Sequence, residues 1–356
     1  MKILQVIGQL GLGGAETMIM TLFREVKKDG IIFDFFICTD EDNYYEKEAL
    51  RLGAHVFKSV PKSVSMWKYC KDLYTVLKKE KYDIVHVHAS DSYAAIPIFI
   101  AWLARVPVKI AHSHNSTGNM NPYVQKVLQK LLNICCDKKL ACSYNAGNWM
   151  YGKGDHLFFE NPIDVRKFRF SMQDRIHLRQ KYGLKKEKAY IHVGRFSRQK
   201  NHRFLIDIFH DLHKLQPDAK LFLIGCGEDE DMIKHKVKSL HLEEAIVFIG
   251  KTSNVHTYLS MADIFLFPSL YEGFPLTLIE AQSSGLPCYV SKAITTQVKI
   301  TDLVSFISLD ISSQDWAYEI VKDTCTYEKR ELYNEKIYAS YDIEKVANKL
   351  MSIYGI

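Results

Sequence analysis

The sequence predicts an α/β protein built from two doubly wound parallel-sheet domains. Three observations carry that prediction. Short β-branched runs alternate with turns and amphipathic helical stretches from the first residues onward, the pattern of a parallel sheet covered by helices on both faces. The alternation breaks near Glu160-Asn161-Pro162-Ile163-Asp164 and then restarts. At 356 residues the chain exceeds one typical domain, and two domains of roughly 150–200 residues are its natural division.

Taken in order, residues 3–7 read as a strand running into Gly11-Leu12-Gly13-Gly14, followed by a helix through Thr17, Met18, Met20, Leu22 and Phe23. Residues 33–38 form a second strand ending at Thr39-Asp40, and 83–88 and 108–111 are further buried strands. Proline after asparagine favours an extended turn, so Asn161-Pro162 closes a first domain at residues 1–164, and the charged stretch 166–188 reads as the linker. The second domain, 165–340, restarts with 190–193 leading into Gly194-Arg195 and 221–224 into Gly225-Cys226-Gly227-Glu228. Strands at 245–249, 264–267 and 287–290 end at Gly250, Pro268-Ser269 and beyond. Residues 341–356 form a last helix with apolar positions at helical spacing, suited to packing back on the first domain.

Composition narrows the function. A net charge of +6 is too mild to mark a nucleic-acid binder, though it suits an anionic ligand or an anionic membrane surface. The eight cysteines, Cys38, Cys70, Cys135, Cys136, Cys142, Cys226, Cys288 and Cys325, form no Cys-x-x-Cys pair and read as reduced thiols of a cytoplasmic protein. The N-terminal apolar stretch is too short for a signal peptide. The longest apolar run, residues 93–104, is interrupted by Pro97 and falls short of the ~20 residues a spanning helix needs.

Ligands of open parallel sheets bind beyond the carboxyl ends of the strands, and four segments with chemical character fall at such ends. In Pro268-Ser269-Leu270-Tyr271-Glu272-Gly273-Phe274-Pro275-Leu276-Thr277-Leu278-Ile279-Glu280, two carboxylates flank a loop-to-helix junction. Glu272 on the loop and Glu280, placed about two turns into the helix, can each accept hydrogen bonds from hydroxyls, while free amides at the helix start can hold a diphosphate. In Gly194-Arg195-Phe196-Ser197-Arg198-Gln199-Lys200-Asn201, the guanidinium of Arg195 and the ammonium of Lys200 suit a diphosphate leaving group. Gly13 and Gly14 let backbone amides approach a phosphate or sugar. Their loop does not match Gly-x-Gly-x-x-Gly, which counts against a dinucleotide dehydrogenase. In Ala111-His112-Ser113-His114-Asn115, either imidazole can hydrogen-bond a sugar hydroxyl. No third metal ligand stands at telling spacing from that pair, so no metal is expected, and His86 and His88, alternating along a buried strand, read as structural.

With these motifs in place the chain resembles a GT-B-fold, group-1 (family 4) retaining glycosyltransferase, closest to those of bacterial exopolysaccharide and capsule assembly. The likeness runs nearly end to end, through Gly-Gly-Ala-Glu-Thr, Ala-His-Ser-His-Asn, Asn-Pro-Ile-Asp, Gly-Arg-Phe-Ser-x-Gln-Lys-Asn-His, Pro-Ser-Leu-Tyr-Glu-Gly-Phe-Pro and Ser-Ser-Gly-Leu-Pro. The resemblance implies two Rossmann-like domains facing across a cleft and transfer of a hexose from a nucleotide diphosphate sugar, UDP on family grounds, to a glycan or polyprenyl-diphosphate-linked acceptor. It implies retention of configuration without a metal or other cofactor. Glu280 would hold the ribose, and Glu272, Gly273 and the Phe274–Leu276 backbone the transferred sugar. Pro275 offers no N–H where relatives have glycine. Arg195 and Lys200, with the amides of Thr277 and Leu278, would clamp the diphosphate, and Gly13 and Gly14 would approach it from the first domain. The family's cleft histidine maps to His112 or His114, with His114 preferred. A basic amphipathic helix near Lys126, Lys130, Lys138 and Lys139 suits peripheral contact with the inner face of the membrane. A sugar-nucleotide epimerase and a non-catalytic nucleotide-sugar-binding scaffold are the competing functions.

Overall fold

A computed structural model describes residues 1–39, 43–322, 330–331 and 333–356; Asp40 and Cys325 lie outside them. The chain forms two compact units, Met1–Ile163 with Tyr341–Ile356, and Asp164–Ser340. Among the described residues each unit holds one parallel sheet. The first comprises β1 (Ile3–Val6), β2 (Phe33–Ile37), β3 (Val56–Lys58), β4 (Ile84–Ala89), β5 (Val108–Ser113), β6 (Lys138–Ala141) and β7 (Leu157–Phe158), in the order β3-β2-β1-β4-β5-β6-β7. The second comprises β8 (Ala189–Val193), β9 (Lys220–Ile224), β10 (Ile246–Gly250), β11 (Ile264–Phe267), β12 (Cys288–Ser291) and β13 (Val304–Ile307), in the order β10-β9-β8-β11-β12-β13. The winding direction reverses between β1 and β4 and between β8 and β11. Helices leave opposite faces at those reversals and open a crevice at the carboxyl ends of the strands.

In the first unit, helix Gly14–Val26 and the C-terminal helix Ile343–Tyr354 cover one face of the sheet, packing Met18, Phe23, Phe33, Phe35, Leu350 and Tyr354 into one core. The chain re-enters this unit by a bridge between Ile163 and Asp342. Asp342 then caps the last helix by accepting from the Glu344 amide at 3.1 Å, a contact that satisfies one of the otherwise orphaned first-turn donors. The Lys138 ammonium closes its other end on the Ile353 carbonyl. Helices Met66–Glu80, Ala95–Leu103 and Pro122–Cys135 cover the opposite face through Leu73, Ile98 and Leu132. The apolar run around Pro97 is thus an ordinary sheet-packing helix. No helix among the described residues is long and apolar enough to cross a membrane.

The charged stretch read as a linker is instead folded. Helix Met172–Lys181 belongs to the second unit, and its Arg175 and Arg179 are buried against the Asp263 carboxylate at 2.6 and 3.1 Å. Arg175 also donates to the Met261 carbonyl at 2.7 Å. Sequence periodicity hides such a helix because its inward residues are cations matched by a distant acid and by main-chain oxygens. Of the eight cysteines, the seven within the described residues are free thiols.

Candidate functional site

Each sheet carries its chemically distinctive side chains at its carboxyl edge. In the second unit the loops after β8 and β9 run against one another, and a Cβ on Gly225, whose φ is +133°, would collide with the Gly194 carbonyl. A Cβ on Gly194 would stand 2.9 Å from His192 Nε2 and 3.2 Å from the Lys200 stem. Glycine at these positions is therefore what lets the Lys200 stem lie along the β8 loop. Asn201, at φ +55°, turns the chain into helix His202–Leu215 and donates to the Pro268 carbonyl at 3.1 Å, tying the β8 and β11 loops together.

The Lys200 ammonium meets the Glu272 carboxylate at 2.7 Å, with side chains only 15% and 8% exposed. Gln199 donates to the other Glu272 oxygen at 3.1 Å and to the Tyr271 carbonyl at 3.0 Å. The ammonium also lies 4.8 Å from the centre of the Phe267 ring, an added attraction for a cation. This is a largely buried, matched charge pair at the mouth of the strands. Arg195, by contrast, is 73% exposed and holds Glu228 at 3.0 Å.

Gly273, Phe274 and Pro275 lead into helix Leu276–Ser283, which Pro275 caps without a side-chain bond. The helix starts at Leu276, so Glu280 is its fifth residue, just past one turn rather than about two. The Leu278 amide is donated to the Pro275 carbonyl at 3.1 Å, and the Thr277 hydroxyl is buried with no hydrogen-bond partner. Burial pushes the Glu280 carboxyl up to about 7, opposed by Lys167.

In the first unit, β1, β4 and β5 place Gln5 beside His86 and His88 beside His112. Every second residue of a strand points to one face, so these side chains share the face covered by the C-terminal helix. Four imidazoles stack there. Ring centres lie 4.2 Å apart for His86–His88 and for His112–His114, and 5.5 Å apart for His86–His112. His86, His88 and His112 are 2%, 7% and 0% exposed, whereas His114, one residue past β5, is partly exposed. Burial lowers the imidazolium pKa of His86 and of His114 to about 3 and holds those of His88 and His112 well below the usual range. The cluster is neutral at physiological pH. His112 is fully enclosed with neither nitrogen bonded, whereas part of His114 reaches the surface.

The sequence offered no third metal ligand beside His112 and His114, but folding supplies candidates, since ligand atoms of His86, His88 and His112 lie within 4.8 Å of one another. Both His88 nitrogens are hydrogen-bonded, to His114 and Gln5, and the small adjoining cavity is lined by Gln5, the three imidazoles, Tyr354 and apolar side chains.

Gly13 and Gly14 stand where helix Gly14–Val26 begins, Gly13 being its cap. The Glu16 carboxylate folds back over Gly13, where a Cβ would collide with it, and burial raises its pKa. Gly14 by contrast is exposed, with nothing within reach of a Cβ placed there.

Known proteins place this arrangement. Residues 174–314 match the family model described as glycosyl transferases group 1, and residues 12–152 match glycosyltransferase family 4. A putative glycosyltransferase of Bacillus subtilis, EpsF, is 31% identical over 100% of this chain and 96% of its own. The chain belongs to the group 1 glycosyltransferases. Another relative of this glycosyltransferase is the Escherichia coli UDP-Gal:alpha-D-GlcNAc-diphosphoundecaprenol alpha-1,3-galactosyltransferase, 28% identical over 82% of this chain and 81% of that one. Among solved structures, Anabaena Alr3699/HepE in complex with UDP superposes with a TM-score of 0.82 at 18% identity, covering 100% of both chains. That likeness establishes the GT-B fold.

Within the glycosyltransferase, Lys200, Glu272 and Gln199 form one bonded group, and Arg195 stands on the same β8 loop with its own acid. Sequence reasoning overlooked three participants: Gln199, which steadies Glu272; Glu228, which holds Arg195; and Glu16, which covers Gly13. All three sat inside quoted motifs, so only their contacts were hidden. Gln5 and Tyr354, 349 positions apart, gave no signal at all, because their partnership exists only once the last helix docks.

Proposed function

We propose that this glycosyltransferase moves a hexose from a UDP-sugar to a hydroxyl of a glycan or polyprenyl-diphosphate-linked acceptor in surface polysaccharide assembly, with retention of configuration and without a metal. One observation carries the reading: the Lys200–Glu272 pair at the β8 and β11 strand ends, next to the start of helix Leu276–Ser283. The relative that uses UDP-Gal and a diphosphoundecaprenol-linked acceptor and the UDP complex of the structural neighbour support the choice of nucleotide and acceptor class.

The chemistry follows from charge. As the glycosidic bond to the donor breaks, negative charge gathers on the departing diphosphate. A fixed ammonium and a guanidinium beside it lower the barrier because they are oriented before the charge develops. Lys200 and Arg195 fill that role. Glu272, relieved of Lys200, accepts hydrogen bonds from the sugar hydroxyls, and Glu280 does so from the ribose. With one oxygen held by Gln199 and the other turned to the sugar hydroxyls, Glu272 is poorly prepared as a nucleophile. The reading therefore favours same-face displacement, in which the leaving phosphate accepts the acceptor's proton. His114 is the neutral hydrogen-bonding group of the first unit, facing the acceptor or the transferred sugar.

Helix Pro122–Cys135 exposes Tyr123, Val127 and Ile134 at 83%, 66% and 78%, alongside Lys126 and Lys130. Such a face can rest on an anionic bilayer where a lipid-linked acceptor resides. Sedimentation with anionic vesicles tests this part: retention in the supernatant at low salt removes it.

The decisive experiment is a donor screen by nucleotide release, with Glu272→Ala and Lys200→Ala beside the wild type. Both variants are expected to lose about two orders of magnitude or more. Wild-type turnover in Lys200→Ala would sink the diphosphate assignment, and conversion of a UDP-sugar to its epimer without acceptor would replace transfer by epimerisation.

A further inference from the structure

A continuous buried hydrogen-bond chain ends on His114. The Tyr354 hydroxyl bonds Gln5 Nε2 at 3.1 Å and His86 Nδ1 at 2.8 Å. Gln5 Oε1 bonds His88 Nε2 at 2.8 Å, and His88 Nδ1 bonds His114 Nε2 at 2.9 Å. Gln5 is 1% exposed in the middle of β1, and Tyr354 is 4% exposed. A glutamine in the centre of a core strand costs stability unless its amide is satisfied on both sides, and here it is.

We propose that His88, Gln5 and Tyr354 are positioning residues that fix the tautomer and ring orientation of His114 for the transfer reaction. The inference rests on the reading that His114 faces substrate, and goes beyond it by assigning what holds that ring. A neutral imidazole carries one N–H and one bare nitrogen. With the Gln5 amide as it stands, its NH2 donates to Tyr354 and its oxygen accepts from His88 Nε2. His88 Nδ1 is then bare and accepts from His114 Nε2, leaving His114 Nδ1 as an acceptor for a hydroxyl. Turning the amide over reverses every bond at once and moves the His114 proton to Nδ1. In both arrangements the proton on His114 is set by an amide two links away, and that amide is held at its far end by the Tyr354 hydroxyl, which His86 shares. Burial matters because any ring that became charged would carry two N–H groups and break the alternation. The remaining member, His112, has no hydrogen bond and stacks between its neighbours, so it fills space and does not redirect the chain.

The test uses full-length protein labelled with 15N-histidine, the His114 signals being assigned by their absence in His114→Gln. Wild type should show a single His114 tautomer. In Gln5→Leu and in Tyr354→Phe, which removes one oxygen and leaves the ring packed, His114 should become a tautomer mixture. Turnover should fall about tenfold in Gln5→Leu with the donor KM unchanged. A carboxylate in Gln5→Glu accepts from both neighbours, so this variant should restore one tautomer, with the proton on His114 Nε2, and restore turnover. An unaltered single tautomer in Gln5→Leu overturns the proposal, as does a mixed tautomer with full turnover. The spectrum needs no catalysis. Wild-type turnover in His114→Gln would therefore defeat the substrate-facing role of His114 separately, leaving the coupling readable.

Discussion

The carboxyl edges of the two sheets are furnished in opposite ways. The second unit holds ions: Lys200 against Glu272 and Arg195 against Glu228, each cation matched by an acid of a different loop. The first unit holds three imidazoles, an amide and a phenol hydrogen-bonded to one another without a formal charge, with His112 stacked on them unbonded. A ligand with a diphosphate can exchange one carboxylate for phosphate oxygens in the second unit at small net cost. The imidazole cluster of the first unit carries no cation, and at the start of its first helix Glu16 overlies Gly13 while Gly14 stands open. A sugar hydroxyl asks for directed donors and acceptors instead, and the histidine chain offers those. The contrast is one of chemistry: ion pairs at one sheet, neutral directed hydrogen bonds at the other.

The largest effect should come from breaking the inner ion pair. In Lys200→Met the buried Glu272 carboxylate loses its partner, which costs about 3 kcal/mol of stability, and turnover falls about a hundredfold or more. The double variant Lys200→Met/Glu272→Gln should recover the stability in denaturant melts but not the turnover in nucleotide release. Recovery of both would mean that the pair is structural only.

Next comes acid. The buried histidines His86, His88 and His112 titrate below their unfolded value near 6.5, so below that pH the unfolded chain binds more protons than the native one. Stability is then complete above about pH 6.5 and is lost as pH falls toward the native values, about 3 for His86. Each ring contributes a slope of about 1 kcal/mol per pH unit. His112→Phe replaces a ring that has no hydrogen bond and should remove one such increment, measured by denaturant melts between pH 4 and 7. An unchanged slope would show that His112 is already protonated in the fold.

Glu280 runs the other way. Its native value of about 7 lies above the unfolded 4.5, so its contribution to stability is present below about pH 4.5 and fades as pH rises to 7. UDP should bind up to about tenfold more tightly above pH 7 than below 6 if the carboxylate form accepts from the ribose. Calorimetry on Glu280→Gln should find that dependence gone. The smallest effect on stability belongs to Arg195→Ala, within about 0.5 kcal/mol because its pair with Glu228 is exposed, while nucleotide release drops about tenfold. A clear loss of stability there would contradict the surface character of the pair.

Much of this was legible before any coordinates. Gly194-Arg195, Lys200 and Glu272-Gly273 follow short apolar runs, so the alternation of strand and helix already put them at strand ends. The helix Met172–Lys181 was not legible, because a helix that buries arginines looks like a charged linker until Asp263 is brought opposite them. Strands β3, β6, β7 and β13 were also passed over. β3 and β7, three and two residues long, are too short for a periodic pattern to stand out, and β6 opens with Lys138-Lys139, which hides a strand as short as those that were read.

The sequence by itself determined the fold class, the family and the identity of the charged residues, since each is written in local patterns that span a few turns of chain. Tertiary structure alone decided which of the two motif histidines is enclosed and which partly exposed, that Glu16 covers Gly13, and that residue 354 bonds residue 5. Those outcomes depend on sheet register and helix docking, where groups distant in sequence compete for the same buried hydrogen bonds. No local pattern records that competition.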